Sequence, residues 1–223
     1  MTFARAALAV LAAITATASL AAGNWLIVVD AAGGGHRIGN PKAKVKLTEF
    51  FSYTCPACGR FAQEATNAVD LYIASGKVQV DIRHVVRDPV DLTVAMLANC
   101  GAPAKFPRNH AALMLSQPKW LPIAQRATTG QQSRWHHGPG PTRRRAIAAD
   151  MGLYAIMATR GYERVALDRC LADETLAKRL TDVTAADAAK WNVHAIPSFA
   201  IDGMVLSGTS SWGTLQPQID ARL

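Results

Sequence analysis

The feature that most constrains this chain is Cys55-Pro56-Ala57-Cys58, set directly after an alternating apolar run and directly before a helical one. Val45, Leu47, Glu49 and Phe51 fall on one face of a predicted strand, and Lys46, Thr48 and Phe50 on the other. Proline is favoured at the first position of a helix, where its missing N–H is no loss, so Pro56 opens one. Phe61, Ala65, Val69 and Leu71 carry the apolar stripe of that helix until Gly76. Val78, Val80 and Ile82 alternate as a second strand, which ends near Arg87-Asp88-Pro89. The unit is strand, helix, strand, with two cysteines at the start of the helix.

Cysteines at i and i+3 of a helix lie about 5–6 Å apart, within reach of a disulfide. Cys55 stands at the helix N-terminus, where the first-turn N–H groups are unpaired and the helix dipole is positive; both favour thiolate over thiol. Cys55 is therefore expected to be the exposed nucleophile and Cys58, one turn in, the resolving thiol. A structural zinc site needs four ligands, usually as two close pairs. Cys100 and Cys170 stand alone, and His136-His137 lack chelating spacing. A c-type haem needs His directly after the second cysteine, where Gly59 stands. No metal and no cofactor is expected. The spacing alone leaves an inert structural disulfide open.

The rest of the chain reads as follows. Trp25 to Val29 suits a short strand, and Gly39-Asn40-Pro41 a turn. From Asp91 to about Lys190 the signals are helical: one helix opens at Leu92, another holds Ala111 to Leu115, and a loop rich in Gly, Pro and His runs from Gly130 to Pro141. Ala146 to Thr159, Tyr162 to Cys170 and Glu174 to Trp191 read as further helices. Strands return at Ser198 to Ile201 and Met204 to Leu206, joined at Asp202-Gly203, and a last helix covers Trp212 to Leu223. The fold class is α/β: a βαβ half, a helical block of about a hundred residues, then a ββα half. A connection that long must fold on itself.

The N-terminus bears on compartment. Arg5 is followed by an uncharged stretch and small residues, so residues 1–22 read as a secretory signal peptide. The uncharged run continues to Val29, so an uncleaved anchor is the competing reading; after cleavage no stable membrane insertion is expected. Export permits disulfides. Cys100 and Cys170 are then expected to pair within the helical block, the alternative being two separate buried thiols. The net charge of +8 comes from 24 Lys and Arg against 16 Asp and Glu. Much of the excess is local, with Arg134, Arg143, Arg144 and Arg145 around His136 and His137. No aromatic-rich signature accompanies them, so a solvated loop or helix start is expected and no nucleic-acid partner.

The segment Thr48-Glu49-Phe50-Phe51-Ser52-Tyr53-Thr54-Cys55-Pro56-Ala57-Cys58 resembles the active-site segment of DsbA-like proteins, the exported disulfide-introducing family. Ala195-Ile196-Pro197-Ser198-Phe199 followed by Asp202-Gly203 is similar to that family's cis-proline loop and hairpin. The resemblance covers residues 24–223. It implies a thioredoxin fold in two parts, residues 23–90 and 186–223, around an inserted helical domain, residues 91–185. It also implies a protein thiol:disulfide oxidoreductase in the periplasm or outside the cell. Its partners would be exported client proteins with thiols or disulfides, and a membrane oxidase of the DsbB type.

The resemblance gives roles to single residues. Glu49 becomes a buried carboxylate passing protons to and from Cys58; otherwise it is an acid at a strand end. Pro197 becomes a cis proline packed on the cysteines, with the Ile196 backbone, Pro56 and Ala57 meeting an extended substrate; otherwise it is a trans proline before a strand. His84 and His194 read as satisfied core histidines, and the tryptophans and methionines as core. One departure matters. The strongest oxidants of the family carry His where this chain has Ala57, so its disulfide is expected to be less oxidising and isomerase or reductase roles stay open. From another class, a thioredoxin-fold module could bind Cu(I) through Cys55 and Cys58. Such modules usually add a nearby His or Met, and the next methionine is Met96.

Overall fold

A computed structural model describes residues 24–31 and 34–223; the signal peptide expected at residues 1–22 lies outside them. Among the described residues six strands form one sheet: β1 (Val29–Asp30), β2 (His36–Ile38), β3 (Val45–Phe51), β4 (Val78–His84), β5 (Ser198–Ile201) and β6 (Met204–Val205). Their order is β1-β2-β4-β3-β5-β6. Only β3 and β4 are parallel, and the crossover between them is α1 (Pro56–Ala74). This is the predicted βαβ unit, and β5 and β6 return antiparallel beside β3.

The central strand β3 is buried on both faces, which is why its alternation of types is imperfect. Val45, Leu47 and Phe51 are almost wholly excluded from solvent, and so is Phe50 on the opposite face. That opposite face is covered by α9 (Glu174–Trp191). Phe50 meets Trp191 edge-on at 5.3 Å. Arg83, register partner of Phe50, forms a bidentate pair with the buried Asp187 at 2.6 and 2.7 Å.

The helical block opens with α2 (Pro89–Ala98) and continues through α3 (Phe106–Leu115), α4 (Gln117–Gln125), α5 (Thr129–His136), α6 (Gly140–Asp150), α7 (Leu153–Ala158) and α8 (Arg164–Ala172). Cys100, after α2, is joined by a disulfide to Cys170 in α8, with a Cα–Cα distance of 5.8 Å. Helix α9 runs unbroken through residues 185 and 186, so the backbone has no break where the sequence placed the end of the insertion. The chain closes with α10 (Trp212–Asp220).

Several local expectations need correcting. Trp25–Ile27 is a 3-10 turn rather than strand, and only Val29–Asp30 pairs with the sheet. The apolar run is an edge segment, with Ile27 60% exposed. The expected loop from Gly130 to Pro141 is largely helical, because Thr128 and Gln131 form a reciprocal capping box that starts α5. The helix expected over Ala146 to Thr159 is two, separated at Gly152, whose φ of 68° ends a right-handed helix. Strand β2 was not foreseen: three residues are too few for periodicity to show. Met204 is exposed on an edge strand and is not core.

Candidate redox site

Cys55 caps α1. Its backbone is extended, and its Sγ accepts the Cys58 N–H at 3.2 Å, one of the orphan donors of the first turn. The two cysteines are not bridged to each other. Cys55 is 4% exposed and Cys58 fully buried. The sequence expectation of an exposed Cys55 is therefore corrected: Pro56 is the exposed residue of the four, while Cys55 is covered from across the sheet. The cover is the loop before β5, where the Ile196–Pro197 bond is cis and the Ile196 carbonyl oxygen lies 3.6 Å from Cys55 Sγ.

The two thiols are held in opposite electrostatic conditions. Cys55 is lowered to about 6, chiefly by its hydrogen bond with the Cys58 side chain; the Cys58 and Ala57 amides and the Arg87 guanidinium help, and burial opposes. Cys58 is pushed far up, first by burial and then by its hydrogen bond to Cys55. Cys55 is thus the thiol that ionises first, and Cys58 the one that keeps its proton.

The loop ahead of Cys55 is fixed by residues distant in sequence. Gln117, buried at the start of α4, donates to the Tyr53 carbonyl at 2.7 Å and to the Cys55 carbonyl at 2.9 Å. Gly59 makes room for it, since a Cβ there would fall 1.9 Å from Gln117 Oε1. Asp91 accepts from the Tyr53 N–H at 2.8 Å and from Ser52 Oγ. Burial raises Asp91 to about 7. Arg87 donates to Ser52 Oγ and to Thr54 Oγ1, both at 3.2 Å, and Thr54 Oγ1 donates to Asp88 at 2.8 Å.

Glu49, buried on the α1 side of β3, is raised to about 7 by desolvation alone. Its charge is among those felt at Cys58. It borders a cavity of about 180 Å³ between α1, α3 and the sheet, roomy enough for water, which Asp70, Arg108 and His110 also line.

The arrangement is a pair of thiols sharing one proton, faced by a proline loop and backed by a carboxyl that titrates near neutrality. Among known families, the thioredoxin family model matches residues 31–221. The chain belongs to the thioredoxin family. A protein-disulfide isomerase of Novosphingobium aromaticivorans is 44% identical, with a TM-score of 0.80 over 87% of this chain and 98% of that one. The alpha-DsbA1 of Wolbachia pipientis, 20% identical, shares the fold with a TM-score of 0.68 over 85% of this chain and 91% of that one. Among curated proteins, one from Rickettsia conorii named as a protein-disulfide oxidoreductase is 33% identical over 85 residues, 37% of this chain. The match spans only 31% of that relative's length.

In this thioredoxin-family protein the structure brings together Cys55, Cys58 and Ile196, with Pro56 and Ala57 in the first turn of α1 and the cis Pro197 directly after Ile196, while Glu49 is near enough for its charge to be felt at Cys58. Cys100 and Cys170 lie apart from this group, in the helical block. His84 is buried, with Nε2 3.4 Å from Asn99 Nδ2. His194 is exposed and hydrogen-bonded to Asn192 at 2.8 Å, so it is not the core histidine expected. Sequence reasoning missed Gln117, Arg87 and Asp91. A signal existed for the last: Asp88-Pro89 reads as an N-cap with proline at N1, and Asp91 follows at N3. Nothing local marks Gln117. Among the described residues no three His, Cys, Asp or Glu side chains are grouped to hold a metal ion.

Proposed function

We propose that this protein is an exported thiol:disulfide oxidoreductase that transfers the Cys55–Cys58 disulfide to client proteins. In the forward step a client thiolate attacks Cys55 Sγ. The Cys55–Cys58 bond breaks, a client–Cys55 mixed disulfide forms, and Cys58 leaves and takes up a proton, for which Glu49 is the donor. A second client thiolate then attacks the client sulfur of the mixed disulfide, forming the client's disulfide and releasing Cys55 as thiolate. The client loses two electrons and the protein's disulfide gains them. The Ile196 carbonyl and the outer turn at Pro56 and Ala57 line the client's path. A membrane oxidase of the DsbB type would restore the disulfide by the same exchange.

The observation that carries this reading is the split between the thiols: Cys55 is held ionised while Cys58 is held protonated. A low-pKa thiolate is both the better leaving group and the stabilised product of reduction, which makes the disulfide a donor of oxidising equivalents. The test is single-turnover oxidation of a reduced dithiol peptide by the oxidised protein, followed by mass spectrometry. One peptide disulfide per protein, with Cys55→Ser inactive and with Cys58→Ser accumulating a Cys55-linked adduct when it is mixed with the oxidised peptide instead, supports the reading. Turnover that survives Cys55→Ser contradicts it. The isomerase reading is favoured by one observation, the name of the 44% identical relative. Faster reshuffling of a scrambled substrate than oxidation of a reduced one would select it.

A further inference from the structure

We propose that the cleft between the β4–α2 turn, α6 and α9 is a carboxylate-binding subsite, which takes an acidic side chain of a client segment while that client's cysteine is engaged at Cys55. This rests on the oxidoreductase reading and adds a client preference to it.

The cleft has a volume of about 270 Å³, and Arg87, Arg143 and Arg144 line it over an apolar floor that includes Leu92 and Ile147. The three cations differ in what they already hold. Arg144 is committed, donating to the Leu171 carbonyl and to Glu174, both at 2.6 Å. Arg143 is not: its Nε is shut off from solvent and has no hydrogen-bond partner. Among the described residues neither Arg143 nor Arg87 takes part in an ion pair. Asp88, the one carboxylate among the described lining residues, already accepts from Thr54 Oγ1 and from the Asp91 N–H, each at 2.8 Å.

A guanidinium fork that no protein acceptor engages is best met by a carboxylate, because its two oxygens match the fork. Location supplies the link to chemistry. Arg87 belongs to the cleft and also donates to Ser52 and Thr54, and Thr54 is the residue before Cys55. An acidic side chain in the cleft therefore sits against the loop that presents the reacting sulfur.

The experiment compares two reduced dithiol peptides, identical except for Glu or Gln at the positions flanking one cysteine, as substrates of the full-length oxidised protein. The native protein should oxidise the Glu peptide with about five-fold higher kcat/KM, carried by KM and reduced by added salt. Arg143→Gln should bring the ratio close to one, Arg143→Lys should keep part of it, and Arg143→Glu should turn the preference toward a Lys peptide. Equal rates for the two peptides in the native protein overturn the subsite, and so does a preference that survives Arg143→Gln. If neither peptide is oxidised, the oxidoreductase reading itself falls and the subsite with it.

Discussion

The Sγ of Cys55 and the carbonyl oxygen of Ile196 lie 3.6 Å apart although 141 positions separate them in the chain. That contact joins the two halves of the fold at the sulfur whose pKa is lowered. The helical block, inserted between the halves, reaches back to the same loop through Gln117. The site is thus assembled from three segments, and most of its control is exerted on Cys55.

Alkylation should separate the two thiols. With Cys55 at about 6 and Cys58 pushed far up, iodoacetamide at pH 6.5 should label Cys55 and leave Cys58 unmodified in the reduced protein. Peptide mapping reads the outcome. Equal labelling of both thiols would contradict the assignment.

The lowered Cys55 also fixes the sign of a pH effect on stability. Its folded pKa lies below the unfolded thiol value of about 8.5, so the reduced native state binds fewer protons than the unfolded one. The stabilisation is fully present above pH ~8.5 and is lost as pH falls through about 6. Paired urea titrations of reduced and oxidised protein should show the reduced form gaining on the oxidised form between pH 5 and 8. A constant difference would remove thiolate stabilisation as the driving force.

Glu49→Gln should act in two ways. Burial raises Glu49 to about 7, so the folded state holds its proton more tightly than the unfolded one, and its ionisation costs stability as pH rises from about 4.5 through 7. The substitution should therefore stabilise the protein at pH 8 by about 3 kcal/mol and have little effect at pH 4.5. It should also slow the exchange steps in which Cys58 gains or loses a proton. If exchange is unaffected, Glu49 is a buried acid with no part in proton transfer.

Gly59→Ala tests how the loop is held. The new Cβ would displace the Gln117 amide and leave the Tyr53 and Cys55 carbonyls short of a donor, at a cost of about 1–3 kcal/mol. Gln117→Ala alone should cost a similar amount. The double variant should fall short of the sum, because the same two hydrogen bonds are lost once. Additive losses in chemical denaturation would dissociate Gly59 from Gln117.

Replacing Cys100 and Cys170 with Ala should lower stability by about 4 kcal/mol, the chain-entropy value for closing a loop of this length, while leaving the Cys55–Cys58 exchange rate unchanged. A large loss of exchange without a loss of stability would place the staple in the redox mechanism instead.

Much of this was legible in the sequence, for identifiable reasons. Strand β3, helix α1 and strand β4 declare themselves through period-two alternation, a proline at the first helical position and a glycine after the last apolar residue, all local signals. Pro197 was legible because of the residues around it. What stayed hidden depends on contacts between distant segments. Gln117 looks like any polar residue at a helix start until Gly59 is seen to make space for it. Arg87 looks like a strand-end charge until its hydrogen bonds to Ser52 and Thr54 place it beside Cys55. Composition also misled: the Gly, Pro and His around residue 130 outweighed the Thr128 and Gln131 capping pair that starts α5.

The most direct test of the account is the reduction potential of the Cys55–Cys58 pair, measured by equilibrating the protein with glutathione buffers of graded ratio and quantifying the two redox forms. Cys55 is stabilised by the helix start, by Cys58 and by Arg87, but Ala57 offers no imidazole. The potential should therefore fall between those of a thioredoxin and a strongly oxidising DsbA, about −270 and −120 mV. Ala57→His should raise it and lower the Cys55 pKa further. A potential at or below the thioredoxin value, unmoved by Ala57→His, would contradict the claim that thiolate stabilisation at Cys55 makes this protein a disulfide donor.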